Sequence, residues 1–336
     1  MKHNNNFDFL RLLFSFLVVI GHAIILSGKA EFRNEFFAAM PNYSVFSFFV
    51  ISGFLVYSSF ERIKTTKKYL LNRIKRILPA YLFVVIFFAF FLVIFSNNHI
   101  PQYFSMEWIK YLGANLTFLN FLKPCIPGIF ETNKMCAVNG SLWTIKVEIM
   151  FYFFVPILYY LLRNKTLKNK NFILLSLYIL SLIYFNYVEN HYGRLIAKQL
   201  PGCLTYFVSG IFLHLNLDFF KRRWQYFIIP AIFIIFFEKI IFSVTFIFPF
   251  ALAIVIIGFA FSKIPLRNFA KYGDFSYGLY LVHFPIIQIF VQQNIYNKYS
   301  FTGLYISFIV IFFSSILIWK FVESPFLKRK KNHSKT

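Results

Sequence analysis

Residues 7–27 read FDFLRLLFSFLVVIGHAIILS, an apolar run with Asp8, Arg11 and His22 set inside it. A helix of roughly 20 such residues crosses the hydrocarbon of a bilayer. No small-residue cleavage site follows a short apolar core, so the run reads as a retained first helix and not as a leader. Similar runs recur at about 36–60, 78–96, 141–162, 171–188, 198–216, 224–240, 243–261, 274–293 and 301–321, with polar connections between them. This pattern predicts an all-α integral membrane protein, a polytopic bundle of about ten transmembrane helices forming one domain over 1–336. The break at 240–243 is the shortest of the connections.

Composition agrees. Of 336 residues, 59% are hydrophobic, 23% aromatic and only 14% charged, a balance that excludes an ordinary soluble domain. Lys and Arg number 35 against 12 Asp and Glu, a formal charge of +23. The basic clusters Arg62 to Arg76, Arg163 to Lys170, Lys221 to Arg223, Lys263 to Lys271 and Lys328 to Lys331 fall on one side of the span arrangement. That distribution is a topology signal and not a nucleic-acid stripe. It predicts cytoplasmic termini, with 328–336 a basic cytoplasmic tail beside anionic lipid heads. The segments 28–35, 97–140, 189–197 and 294–300 then lie outside. Cys125, Cys136 and Cys203 lack zinc spacing, so no metal is indicated. Cys125 and Cys136 share one connection, where pairing and two free thiols are both open.

Ionisable groups inside spans are costly unless they face a cavity or a partner. Arg11 and His22 lie eleven positions apart, which on a helix returns them to nearly one face about 16 Å apart along the axis. Lys146 and Glu148 lie in the fourth run, Glu238 near the end of the seventh, and His283 in the ninth. Glu148 falls about 10 Å below the external start of its run, at a depth comparable to His22. An imidazole beside a carboxylate is the pairing that takes a proton from a hydroxyl. The blander reading stays open: His22 as a bonded core histidine, and Glu148 as a counter-ion within the bundle. Ser52 and Gly53 suit a close helix contact.

Five segments, FDFLRLLFSFLVVIGH ending at His22, FFVISGFL at 48–55, RIKRILPAY at 73–81, GSLWTIKVEIMFY at 140–152 and YGLYLVHFPI at 277–286, with the closing WKFVESP at 319–325, resemble the bacterial transmembrane acyltransferase 3 family. Its members modify surface polysaccharides and other extracytoplasmic sugars. The resemblance implies an O-acyltransferase of the bacterial cytoplasmic (inner) membrane, with acetyl-CoA or another acyl-CoA as donor substrate and no permanently bound cofactor. The acceptor it implies is a surface or lipid-linked glycan, and separate glycan-assembly proteins form a further class of partner. His22 and Glu148 are the catalytic candidates, and Arg11, Arg73 and Arg76 the donor-binding ones. Trp143, Lys146, Tyr280 and His283 are candidates for the acceptor path or for oxyanion support. Tyr280 and His283 are equally open to a structural role. A transporter or flippase of a lipid-linked glycan is the competing reading.

Overall fold

The computed structural model describes residues 5–238, 240, 246–264, 266 and 273–327. Those residues are helical almost throughout, with a single isolated antiparallel bridge, Cys125 to Ala137, and no β-strand. In chain order the helices are α1 (Phe7–Ser27), α2 (Glu35–Ile63), α3 (Thr66–Phe91), α4 (Ile100–Tyr103), α5 (Met106–Leu116), α6 (Trp143–Leu162), α7 (Leu167–Tyr192) and α8 (Arg194–Ala197). They continue with α9 (Leu200–Leu215), α10 (Leu217–Phe237), α11 (Phe248–Phe261), α12 (Ser276–Gln292), α13 (Ile295–Ile318) and, after a π-helical turn at Trp319–Glu323, α14 (Ser324–Leu327).

Among the described residues six helical stretches are long and apolar enough to cross a membrane: 7–27, 35–63, 66–95, 143–162, 167–192 and 295–327. A seventh span arises if α9 and α10 count as one bent pair. Each of the ten apolar runs holds helix, but α9, α11 and α12, at 16, 14 and 17 residues, are shorter than the roughly 20 residues a perpendicular crossing uses. One expected connection is corrected. Lys221 to Arg223 lie inside α10, because α9 and α10 are separated by Asn216 alone and bend by 109°. The third run is likewise longer than its apolar part, since α3 carries Arg73 and Arg76 within its first turns. The tail 328–336, part of the Lys263 to Lys271 cluster and most of the 240–243 break lie outside the described residues.

The chain falls into two compact units. The first comprises 1–14, 42–70 and 144–271. Its helices α2 and α9 meet backbone to backbone. A Cβ added to Gly53 would sit 2.0 Å from the Phe207 carbonyl oxygen, and one added to Gly210 would sit 2.1 Å from that of Val50. The small residue of the FFVISGF segment is therefore a packing device. Beside it Phe151 stacks on Phe207 at 4.0 Å and Phe46 on Tyr206 at 4.2 Å. Asn6 closes the end of α11, whose last carbonyls have no helical donor: its backbone N–H donates to Ala260 and its side-chain amide to Phe259.

The second unit comprises 15–41, 71–143 and 272–336, and α12 is its most buried helix. The segment 97–140 is anchored to α3 by aromatic side chains with polar tips, which satisfy backbone oxygens while burying ring area. Tyr103 Oη and Trp108 Nε1 both donate to the Ala89 carbonyl, each at 2.8 Å, and Tyr81 Oη donates to that of Asn115 at 2.7 Å. On its exposed side, hydrogen bonds from Lys110 and Lys123 push the Glu107 carboxyl down to about 2.

The glycine contacts make a thermal test possible. Gly53→Ala and Gly210→Ala should each cost ~1–3 kcal/mol through overpacking and lower the apparent Tm of the detergent-purified protein. Gly113→Ala, where nothing lies within 4 Å of the added carbon, should leave Tm unchanged or raise it slightly. Equal Tm values for all three would remove the close-approach argument.

Candidate active site

His22 is held by the tight meeting of α1 with the start of α2. A Cβ on the preceding Gly21 would stand 2.3 Å from Pro41 Cδ and 2.7 Å from the Phe37 carbonyl oxygen. Pro41 has no N–H to offer that carbonyl four residues back, which is where helix α2 is free to bend. Glycine at 21 lets α1 nest against Pro41, and His22 follows it in the chain, half-buried.

The hydrogen-bond partner of His22 is His283 on α12. His22 Nδ1 lies 2.8 Å from His283 Nε2. The ring centroids are 5.0 Å apart and the planes differ by 12°. Only one nitrogen pair is close, so the rings meet edge to edge in nearly one plane, along the lone-pair direction a hydrogen bond requires. His283 is fully buried, and its Nδ1 lies 2.7 Å from the carbonyl oxygen of Tyr280. Phe284 packs its ring against His22 at 5.4 Å. Gly140 leaves room for Phe284, since a Cβ there would approach the ring to 2.7 Å.

Pro285 explains why this helix is braced from outside. It cannot donate to the Leu281 carbonyl, so a buried acceptor needs another partner. Asn139 Nδ2 supplies it at 2.8 Å. Ser141 Oγ donates to Asn139 Oδ1 at 2.7 Å, and Tyr280 Oη donates to the Ser141 carbonyl at 3.2 Å. One turn further along α12, buried Gln288 donates to the carbonyls of Met135 at 2.6 Å and Ala137 at 2.9 Å. Asn133 donates back to the Gln288 carbonyl at 3.0 Å. Cys125 and Cys136 form a disulfide with Cα atoms 5.3 Å apart, which closes the loop that makes these contacts. Lys134 Nζ reaches the Ile25 carbonyl near the end of α1 at 3.3 Å. The segment 133–141 thus lies along α12 as a clamp.

The cationic candidates are placed as follows. Arg76 pairs with Asp274 at 2.8 Å, and Ser276 Oγ donates to the same carboxylate at 2.5 Å. Buried Glu323, from the π-helical turn, interacts electrostatically with both Asp274 and Arg76. Arg73 is half-buried on α3. In the first unit, Arg11 pairs with Asp8 one turn back on α1. Glu148 accepts a 2.5 Å hydrogen bond from Tyr152 Oη one turn on along α6. Trp143 opens α6 and Lys146 follows within its first turn, both half-buried.

Of the sequence candidates, the structure joins His22, His283 and Tyr280 in one chain of hydrogen bonds. Glu148 belongs to the first unit and His22 to the second, and the carboxylate is bonded to Tyr152. Asn139, Asp274, Gln288 and Glu323 take part in these networks without having been singled out. Only Pro285 left a sequence trace of Asn139's role, a helix proline whose orphan carbonyl demands a donor. Among the described residues no cluster of three or more His, Cys, Asp or Glu could hold a metal ion.

These are the features of an apolar, helical membrane protein with a hydrogen-bonded imidazole pair, one ring of it on the proline-containing α12, and such a pair is suited to passing a proton. The chain belongs to the acyltransferase 3 family, whose acyltransferase domain matches residues 4–321. It is an acyltransferase and a multi-pass membrane protein. It is 25% identical to the O-acetyl transferase of Shigella phage Sf6, over 98% of each chain. It is 27% identical to the O-acetyltransferase OatA of Staphylococcus aureus (strain NCTC 8325 / PS 47), over 84% of this chain and 52% of that protein. A shorter likeness, 27% identity over 46% of this chain and 44% of the relative, links it to nodulation protein 10 of Rhizobium leguminosarum bv. viciae. The chain therefore spans about half the length of OatA. No solved structure matches.

The clamp can be cut chemically. Replacing both Cys125 and Cys136 by Ser releases a loop whose closure is worth ~3 kcal/mol in a chain-entropy account. The double variant should unfold at lower temperature and transfer acyl groups several-fold more slowly at equal protein level. If Tm and activity both stay at wild-type values, the disulfide has no part in holding α12.

Proposed function

We propose that the protein transfers an acetyl group from cytoplasmic acetyl-CoA to a hydroxyl of a surface polysaccharide or its lipid-linked precursor, across the bacterial inner membrane. The observation that carries the reading is the half-buried His22, hydrogen-bonded to a buried partner, in a chain matched by the acyltransferase domain along almost its whole length. The name of the phage relative, an O-acetyl transferase aligned end to end with this chain, supports acetyl as the group transferred and oxygen as its destination.

In this reading His22 is the general base that deprotonates the acceptor hydroxyl as its oxygen attacks the thioester carbonyl. Glu148 is the second acid–base group. Arg73, Arg76 and Arg11 bind the donor, whose phosphates suit guanidinium groups. Asp274, itself bonded by Ser276, already orients Arg76. Trp143, Lys146 and Tyr280 belong to the acceptor path or to oxyanion support. In the same reading the chain crosses about ten times with both termini in the cytoplasm, and these arginines face the donor side. A disulfide at Cys125 and Cys136 suits the oxidising side, where the glycan is presented. The donor is a substrate, and no resident cofactor is invoked. Membrane lipid and separate glycan-assembly proteins complete the partners.

Proton NMR of purified surface glycan provides the test. Deletion of the gene and His22→Ala at matched protein level should both abolish the O-acetyl signal, since losing a general base costs roughly 100- to 10,000-fold in rate. Arg73→Ala with Arg76→Ala should raise the KM for acetyl-CoA roughly 10- to 100-fold, as expected when charge-assisted hydrogen bonds are lost. Glycan that keeps its acetyl groups but is scarce or mislocalised would replace this reading with a flippase.

A further inference from the structure

We infer that His283 is a positioning residue that selects the tautomer of His22 and thereby makes Nε2 of His22 the base. The inference deepens the transferase reading and rests on it for its chemistry, though the tautomer itself follows from geometry alone.

A backbone carbonyl can only accept a hydrogen bond. The carbonyl of Tyr280, 2.7 Å from His283 Nδ1, therefore requires that this nitrogen carry the proton. In a neutral imidazole the other nitrogen is then a bare lone pair. That nitrogen, Nε2, faces His22 Nδ1 at 2.8 Å, so His22 Nδ1 must be the donor. His22 Nε2 is left as the bare, basic atom. The opposite polarity would need an imidazolium at His283. His283 is wholly buried, and its recorded partners are His22 and the backbone of Tyr280 and Leu279. A charge there would have no carboxylate to offset its desolvation, which costs several kcal/mol. Two protons thus have one neutral arrangement along the line from Tyr280 to His22.

The helix keeps that arrangement from shifting. Tyr280 is held by its own hydroxyl on the Ser141 carbonyl, and the carbonyl freed by Pro285 is held by Asn139. The carbonyl that orients His283 therefore sits on a turn of α12 that is pinned at its own side chain and at the next carbonyl. A serine-protease triad reaches the same end with an aspartate on Nδ1. Here a neutral ring does it, so the partner sets direction and tautomer without adding a buried negative charge.

The transfer then balances as follows. The lone pair of His22 Nε2 takes the hydroxyl proton, and the alkoxide oxygen forms a bond to the thioester carbonyl carbon. The carbon–sulfur bond breaks, and sulfur leaves with that electron pair. The thiolate takes the proton from His22 Nε2, which returns to its starting state. Throughout, Nδ1–H stays on His283 Nε2, whose lone pair supports the transient imidazolium.

Ring-15N-labelled histidine in the full-length protein, reconstituted in lipid bilayers, reads the tautomer directly by solid-state NMR, with His22→Gln identifying the His22 signals by difference. The wild type should show His22 protonated at Nδ1 and bare at Nε2. His283→Leu should lose that preference and lower glycan O-acetylation on the order of 100-fold at matched protein level, with the KM for acetyl-CoA unchanged. His283→Gln, whose side-chain oxygen can still accept from Nδ1–H, should keep the tautomer and recover a measurable part of the activity. A wild-type His22 protonated at Nε2 overturns the inference without any variant having to fold. So does a Leu variant that keeps both tautomer and rate. If deletion of the gene leaves glycan acetylation intact while the wild-type tautomer is as stated, the transferase reading fails and the histidine pairing stands; a His22→Ala variant that retains acetylation overturns His22 Nε2 as the base.

Discussion

A buried helix carbonyl without its helical donor must find another, and around His22 the structure depends on how the carbonyl of Leu281 does so. Pro285 removes the donor that would have come from one turn further on, and the amide of Asn139 replaces it. In lipid or in a protein core there is no water to accept the task cheaply. Because Asn139 comes from the segment just before α6, this one demand brings Ser141 to Tyr280 and sets the turn from which His283 reaches His22. The loop closed by Cys125 and Cys136 continues the same logic at Gln288.

Close approach is the second organising constraint. Gly21 against Pro41, Gly53 and Gly210 between α2 and α9, and Gly140 against Phe284 each occupy a position where a single methyl would strike backbone or ring within 3 Å. In an apolar solvent burying leucine gains little over leaving it in lipid, so helices associate through contacts that only small residues permit. The glycines next to His22 and Phe284 do two things at once. They seal helix contacts and they hold the imidazole in place.

Charge follows a different pattern from the one simple counting suggests. The basic excess signals topology, yet the arginines of RIKRILPAY and of the first run are not bare cations. Arg76 has Asp274, and Arg11 has Asp8. A carboxylate partner keeps the planar fork of a guanidinium directed. The carboxylates that orient these groups number among only 12 acids in the chain, so their use here is a substantial share of the whole supply.

Much of this protein was legible in its sequence. The apolar runs fixed an all-helical membrane chain, α1 and α2 to within a few residues, because a bilayer imposes a length and a composition that local sequence displays. The arginine and histidine of the first run, the Gly-Ser-Leu-Trp segment and the YGLYLVHFPI stretch were visible as chemistry out of place in an apolar setting. Helix ends were less legible: Lys221 to Arg223 read as a connection and lie within α10, since charge marks an interface but does not stop a helix. The partner of His22 was decided only by tertiary structure. Glu148, expected at a comparable depth, belongs to the other unit and accepts a hydrogen bond from Tyr152. That His22 meets His283 depends on helix packing and on a proline-freed carbonyl 142 residues from the asparagine that answers it. Local sequence sets the length and chemistry of each helix; the pairing of side chains from distant helices is set by packing, because only there do their distances become short enough for a hydrogen bond.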